Sequence, residues 1–241
     1  MRIDVTSQTH FSDLNEQVRN CPDSEIVISG CIGHRYIASG LKGKNIVING
    51  VPGNALGAYL DGCTITVNGS AQDATGDTMN SGTIYINGDC GDATGYGMRG
   101  GRIFIRGNVG YRAGIHMKAY KEHKPVIVVG GKAGSFLGEY QAGGTIVVLG
   151  MDESDRPVVG NFCGTGMHGG KMFLRMETLP KDLPVQVCAA EATKEELEEI
   201  RPYLEEFCAA FGCSMEEVMD GRFYVLSPNT QNPYKQLYTH H

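Results

Sequence analysis

Glycine recurs with a fixed period along this chain, and that period constrains the fold more than any other feature of the sequence. The motif Gly-x-x-Gly-x-x-x-Gly begins at Gly50, Gly88, Gly107 and Gly131. Its last glycine recurs at six positions, which we call the corner glycines: Gly57, Gly76, Gly95, Gly114, Gly138 and Gly164. They are separated by 19, 19, 19, 24 and 26 residues. A period that holds three times and is then lengthened by insertions is typical of stacked structural repeats.

Each repeat also contains a short β-branched run with the alternation of a strand, such as NIVING (45–50) and TIYING (83–88). Stacked strands place equivalent side chains in columns about 4.8 Å apart, and a tight corner with positive φ favours glycine. A repeat of 19 residues does not fit the multiples of six that a left-handed hexapeptide helix requires. We therefore predict an all-β fold, a single-stranded right-handed parallel β-helix (β-solenoid) with short α-helical caps.

The flanking segments predict the caps and the domain boundaries. Residues 12–20 can form a short helix, and Thr193 with Glu196 forms a capping box for a helix that ends near Phe211. We predict an N-terminal cap over 1–24, the glycine-rich β-helix over 25–178, and a helical C-terminal cap and tail over 179–241.

Charge and cysteine usage exclude several classes of protein. The net charge is -6 over 241 residues, which argues against nucleic acid as a partner. There is no signal peptide pattern and no apolar run long enough to span a membrane, so we expect no membrane partner. The eight cysteines are scattered along the chain, which favours reduced thiols and a cytoplasmic location.

Several motifs resemble catalytic or cofactor sites, but each has a structural interpretation. The segments 95–100 and 164–169 match G-x-G-x-x-G, yet each leads into another strand rather than a helix, so we interpret both as turns. Asp73 and Asp92 occupy equivalent positions, where turn capping is favoured over the paired acids of glycoside chemistry. The histidines and cysteines lack ligand-like spacing. We predict no catalytic, cofactor-binding or metal residue in this chain.

A basic insertion interrupts the repeat at 112–125. Bulges on a rigid scaffold commonly carry recognition, and solvated loops are equally common, so both interpretations stay open. The candidate partner-docking residues are Arg112, His116, Lys118, Lys121 and His123.

The glycine turns, in this order, resemble the C-terminal glycine-rich GXGXG domain of the large subunit of glutamate synthase. The closest matches are GNALGAY (53–59), GSAQDATGDTMNSGTIYING (69–88), GEYQAGGTIVVLG (138–150) and GNFCGTGMHGGKMFLR (160–175). Gln141 stands where the family usually has methionine. The chain offers no N-terminal cysteine nucleophile, and its cysteine spacing departs from the iron–sulfur motif of that enzyme.

The resemblance implies a structural and assembly subunit that bridges a glutaminase (class II amidotransferase) subunit and a flavin/iron–sulfur synthase subunit. FMN and the Fe–S cluster would belong to those partners and not to this chain. Two alternatives stay open. One is a component of a formylmethanofuran dehydrogenase, since one of the subunits of that enzyme has a coil pattern that this chain also resembles. The other is a free-standing carbohydrate-active β-helix protein. Self-association as a homo-oligomer is a further expectation.

Overall fold

The computed structural model describes residues 1–229, which form eleven β-strands and three α-helices. The strands are β1 Arg2–Asp4, β2 Glu25–Ile32, β3 Asn45–Val51, β4 Asp61–Asn68, β5 Ser81–Ile86, β6 Arg102–Ile105, β7 Val126–Val129, β8 Ala142–Val148, β9 Gly169–Arg175, β10 Val187–Glu191 and β11 Phe223–Pro228. The helices are α1 Phe11–Asn20, α2 Lys194–Phe211 and α3 Met215–Met219. The last twelve positions of the predicted C-terminal tail, 230–241, lie outside the described residues.

One sheet contains all eleven strands, in the order β1 to β9 and then β11 and β10. From β1 to β9 every neighbouring pair is parallel. Register is set by the repeat, so that Ile46, Ile65 and Ile84 lie opposite one another and are buried on the inner face. Alternate residues point outward, as expected for the two-residue period of a strand.

Between the strands, seven turns stack on one another. The first lies at 36–40, and the other six, each of six residues, lie at 54–59, 73–78, 92–97, 111–116, 135–140 and 161–166. Three alternate residues in each turn have positive φ; in the fourth turn these are Ala93 (53°), Gly95 (70°) and Gly97 (57°). Their amide groups donate to neighbouring turns, because Gly95 bonds back to Thr75 and Gly97 bonds forward to Ile115. The left-handed residues thus satisfy the backbone between repeats.

All six corner glycines have positive φ, between 62° and 74°. At these positions a side chain is excluded by the lack of space as well as by the positive φ. A Cβ atom on Gly76 would lie 2.4 Å from Ile103 Cδ1, and one on Gly95 would lie 2.5 Å from Ile127 Cδ1. The first turn has Ala38 (φ 61°) at the equivalent position, which is why the glycine period does not reveal this repeat in the sequence.

Helix α2 begins at the predicted capping box, which is confirmed: Thr193 accepts from the amide of Glu196, and Glu196 accepts from that of Thr193. The helix packs on the outer face of the sheet and builds a second hydrophobic cluster there. Its members on the sheet are Phe104, Val126, Val128, Val147 and Phe173, and its members on α2 include Ile200, Leu204 and Phe207.

The predicted all-β, single-stranded right-handed parallel β-helix is wrong. The sheet is mixed, because β11 pairs antiparallel with both β9 and β10, and α2 covers a face of the sheet as a second layer. Strand β11 lies inside the sheet because both of its faces are apolar: Val225 packs in the α2 cluster and Leu226 in the main core. Most β10 side chains are exposed or half-buried, so this strand forms the edge.

At the other end, β1 pairs with β2, and α1 buries Leu14 and Val18 against the main core. The domain boundaries at 24 and 178 stay a prediction. None of the helices within residues 1–229 combines the length and the hydrophobicity that a membrane span requires.

Candidate functional site: a cationic groove on the turn face

The surface of the seven stacked turns, which we call the turn face, presents large exposed aromatic side chains. Four of them belong to residues with positive φ: Tyr36, Tyr59, Tyr140 and Phe162, whose exposed fractions are 47%, 55%, 40% and 50%. A bulky residue is strained in this conformation by about 1–2 kcal/mol. Backbone strain of this kind is concentrated at functional sites.

The fold does not require these aromatic rings. At the equivalent positions other turns have glycine (Gly40, Gly97, Gly166) or alanine (Ala55, Ala74, Ala93). Because the aromatic rings are largely exposed, they bury little apolar area in the chain itself. Exposed apolar groups gathered on one surface indicate a binding site.

One row of rings runs across three successive turns. The His116 ring stacks on the Tyr140 ring with centroids 5.1 Å apart and planes 8° apart. Tyr96 meets the other side of His116 edge-on at 5.9 Å. This contiguous row forms one wall of a groove.

The groove has a volume of about 570 Å³. Its lining residues are Thr78, Tyr96, Gly97, Arg99, His116, Lys118, Tyr140, Ala142 and His168. Arg99 and Lys118 are 19 residues apart, so they occupy the same position in adjacent repeats. No aspartate or glutamate lines the groove, and neither Arg99 nor Lys118 forms an ion pair within residues 1–229. The groove is therefore positively charged on a chain whose net charge is -6.

His168 also lines this groove. Its Nδ1 lies 3.0 Å from the carbonyl oxygen of Gly166 and donates to it, because a carbonyl can only accept. The Nε2 atom is therefore the ring nitrogen available to a ligand.

The structure separates the five residues of the predicted docking loop. Arg112 and His116 both belong to the fifth turn, and His116 lines the groove together with Lys118. Lys121 and His123 lie on the insertion, where Tyr120 and His123 exchange two backbone hydrogen bonds of 3.0 Å. Whether these five residues dock a partner stays a prediction.

Arg112 lies in a second row on the turn face. Its guanidinium lies 4.7 Å from the centroid of the Phe136 ring, and its Nε donates to Glu139 at 3.0 Å. Phe136 stacks in turn on Phe162, with centroids 5.0 Å apart. Arg112 is thus engaged within the chain, whereas Arg99 and Lys118 have no anionic partner among residues 1–229.

Of the nine residues that line the groove, only His116 and Lys118 were predicted from the sequence; the other seven, which include Tyr96, Arg99, Tyr140 and His168, were not. The repeat itself carries a signal that could have identified part of the groove, because aligning the chain at the corner glycines places Arg99 and Lys118 in one column. The period of the buried positions does not reveal which exposed columns meet to form a groove.

The other candidate sites have structural roles. Asp73 accepts from the amide of Asp92 at 2.9 Å, and Asp92 accepts from that of Tyr111 at 2.7 Å. Both carboxylates thus join successive turns, which is a capping role. In the part of the chain that the structure describes, no cluster of three or more His, Cys, Asp or Glu side chains could hold a metal ion.

All eight cysteines are unpaired thiols. Cys208 and Cys213 lie close together, with their sulfur atoms 3.6 Å apart. Burial, with a contribution from the neighbouring Cys213, raises the pKa of Cys208 to about 12. Burial likewise raises the pKa of Cys163 to about 12. Both thiols are protonated near neutral pH and are poor nucleophiles.

Comparison with known proteins places this chain in a family. Protein MJ1350 of Methanocaldococcus jannaschii is 44% identical over 95% of this chain and 93% of its own length. A chain in the crystal structure of the formyltransferase/hydrolase complex from Methylorubrum extorquens, in complex with methylofuran, has a similar fold. Its TM-score is 0.63 and its identity 23%, over 84% of this chain and 72% of that chain. The model of the GXGXG motif family matches residues 4–226. The protein therefore belongs to the GXGXG motif family.

Proposed function

We propose that this chain is a non-catalytic assembly subunit of a multi-subunit enzyme complex that acts on formyl groups held by a carrier. The observation that carries the assembly role is the turn face, where strained and exposed aromatic rings border a groove with unpaired cations. Tyrosine and arginine are the residues enriched at the centres of protein interfaces. The stacked turns hold these side chains on a hydrogen-bonded scaffold, which lowers the entropy lost when a partner binds.

The similarity of the fold supports the proposal that the complex to which this chain belongs acts on a formyl carrier. Similarity to a chain of the formyltransferase/hydrolase complex extends over 84% of this chain. That likeness agrees with the resemblance of the coil pattern to that of formylmethanofuran dehydrogenase. In this proposal the cofactors and the reacting groups belong to partner subunits.

A glutamate synthase assembly is the second candidate, and it is favoured by the motifs 138–150 and 160–175. In that setting the partners would be a glutaminase and a flavin/iron–sulfur protein. A free-standing carbohydrate-active protein is disfavoured, because the carboxylates of Asp73 and Asp92 cap turns.

Affinity purification of the tagged chain from its source cells, followed by mass spectrometry, tests the proposal. We expect stoichiometric recovery of formyltransferase, hydrolase or formyl-carrier dehydrogenase subunits. Recovery of a glutaminase together with an FMN-containing protein would select the second candidate instead. Recovery of this chain alone, as a monomer or homo-oligomer, would refute the assembly role.

A further inference from the structure

We infer that the groove between Tyr96, Tyr140 and His168 binds an acidic segment of a partner protein. This inference rests on the proposed assembly function and names the chemistry of the contact.

Charge is the first observation that points to this occupant. Arg99 and Lys118 occupy one column in adjacent repeats, whose backbones lie about 4.8 Å apart because β6 pairs with β7 and the amide of Lys118 donates to the carbonyl oxygen of Met98. Two cationic side chains that rise from neighbouring positions into one groove favour an anion that both can contact. In the same column, Lys42 forms an ion pair with Asp61 at 2.6 Å. The column is thus neutralised at one end of the turn face and left positive in the groove.

The aromatic wall is the second observation, and it favours a polypeptide over a small anion. Tyr96 and Tyr140 are 43% and 40% exposed, and His116 lies between their rings. A phosphate ion would use the cations and leave these rings in water. A peptide with aspartate or glutamate side chains would use both, since its backbone and apolar groups can cover the rings while its carboxylates reach Arg99 and Lys118.

The insertion after Lys118 makes the electrostatic potential around the groove more positive. Lys121 and Lys124 are exposed there, and Glu122 is the only carboxylate among residues 119–125. Positive charge thus continues from the groove onto the adjacent loop. Such a patch raises the association rate of an acidic partner and makes it sensitive to salt.

The test uses the full chain and a fluorescein-labelled peptide of eight glutamate residues, with binding followed by fluorescence anisotropy. We expect saturable binding with a dissociation constant below about 1 mM at low salt. Affinity should fall when the salt concentration is raised from about 50 to about 500 mM, because the Debye length shortens several-fold.

Two double variants with the same change in charge separate the groove from the general charge of the chain. Arg99→Ala with Lys118→Ala should weaken peptide binding by about tenfold or more. Lys181→Ala with Lys194→Ala removes two exposed cations outside the groove, and affinity should stay within about twofold. Circular dichroism confirms that each variant is folded.

Three results would overturn the inference. They are the absence of saturable binding, equal affinity in both double variants, and displacement of the peptide by inorganic phosphate at equal concentration. Because the peptide assay needs no partner protein, it can fail while partners still co-purify, which would leave the assembly role standing. Conversely, peptide binding without any co-purifying partner would refute the proposed function and leave the groove assignment intact.

Discussion

Tyr85 donates a hydrogen bond of 2.7 Å to Oε1 of Glu206, 121 residues further along the chain. Arg102 donates to the other carboxylate oxygen, also at 2.7 Å. Tyr85 and Arg102 lie on neighbouring parallel strands and Glu206 lies on α2. One carboxylate therefore fixes the helix on the outer face of the sheet, beside the apolar cluster.

We predict that Glu206→Ala lowers the free energy of unfolding by about 1–2 kcal/mol. Hydrogen bonds to charged groups are worth about 1.5–3 kcal/mol, and partial exposure reduces that value. The Glu206 side chain is 23% exposed. Urea unfolding monitored by circular dichroism gives the measurement.

Glu198 on the same helix provides the control. It pairs with Arg201 three residues away and is 61% exposed, so solvent screens the pair and Glu198→Ala should lower the free energy of unfolding clearly less than Glu206→Ala does. Both variants replace glutamate by alanine in α2, so differences in helix propensity cancel. Equal losses in the two variants would show that Glu206 does not anchor the helix.

The same contact predicts a dependence on alkaline pH. Burial, followed by the hydrogen bond to Glu206, raises the pKa of Tyr85 to about 12 from its ordinary value of 10.0. The unfolded chain therefore releases this proton first. The contribution of Tyr85 to stability is complete below pH 10 and is lost progressively as the pH rises to about 12.

Melting temperatures of the wild type and of Tyr85→Phe, measured from pH 8 to 12, check this linkage. We expect the wild type to lose more stability than the variant between about pH 10 and 12, since phenylalanine has no proton to release. Parallel curves over this interval would exclude a role for Tyr85 in the alkaline transition.

Two glycines of the fourth turn differ in what surrounds them, and this yields a matched prediction. Gly95→Ala places Cβ 2.5 Å from Ile127 Cδ1 at φ 70°. Gly97→Ala has φ 57° and meets only Thr78 Oγ1, at 3.5 Å. Backbone strain and the overlap with Ile127 together should make Gly95→Ala lower the free energy of unfolding by about 2–4 kcal/mol. Gly97→Ala, which has the strain alone, should lower it by about 1 kcal/mol. Thermal or urea unfolding distinguishes the two, and a larger loss in Gly97→Ala would refute the role of close packing.

Gln141 interrupts a buried column that contains Met117 and Met167 in the neighbouring repeats. Its Oε1 is buried and accepts no hydrogen bond from the described part of the chain. Its Nε2 donates to the carbonyl oxygens of Gly143 and Gly144 at 3.3 and 3.2 Å. We predict that Gln141→Met raises the free energy of unfolding by about 1 kcal/mol, because an unsatisfied buried acceptor costs about 1–3 kcal/mol. Urea unfolding of the variant beside the wild type measures the difference.

The reverse substitution is the control for that prediction. Met117→Gln should lower the free energy of unfolding by about 2 kcal/mol or more, since it buries an amide among apolar side chains. If Gln141→Met were destabilising, the two hydrogen bonds to the glycine carbonyls would outweigh the unsatisfied oxygen.

The sequence by itself determined the positions of the parallel strands from β2 to β9 and of six of the seven turns, whereas β1 and the first turn were not apparent from it. The 19-residue period identified the six corner glycines, and their positive φ follows from the tight approach of the next repeats. The capping box of α2 was equally readable, because Thr193 and Glu196 lie within one helical turn. These features depend on contacts that are local or that repeat at a constant distance along the chain.

Only the tertiary structure decided what surrounds the repeat. The antiparallel insertion of β11 between β9 and β10 and the packing of α2 on the sheet depend on contacts between residues far apart in sequence. The pair Tyr85 and Glu206 is one example. No period marks such contacts, since each is made once. The cationic groove has the same origin, because Tyr96, Lys118 and His168 meet only after stacked turns bring exposed columns from different repeats together.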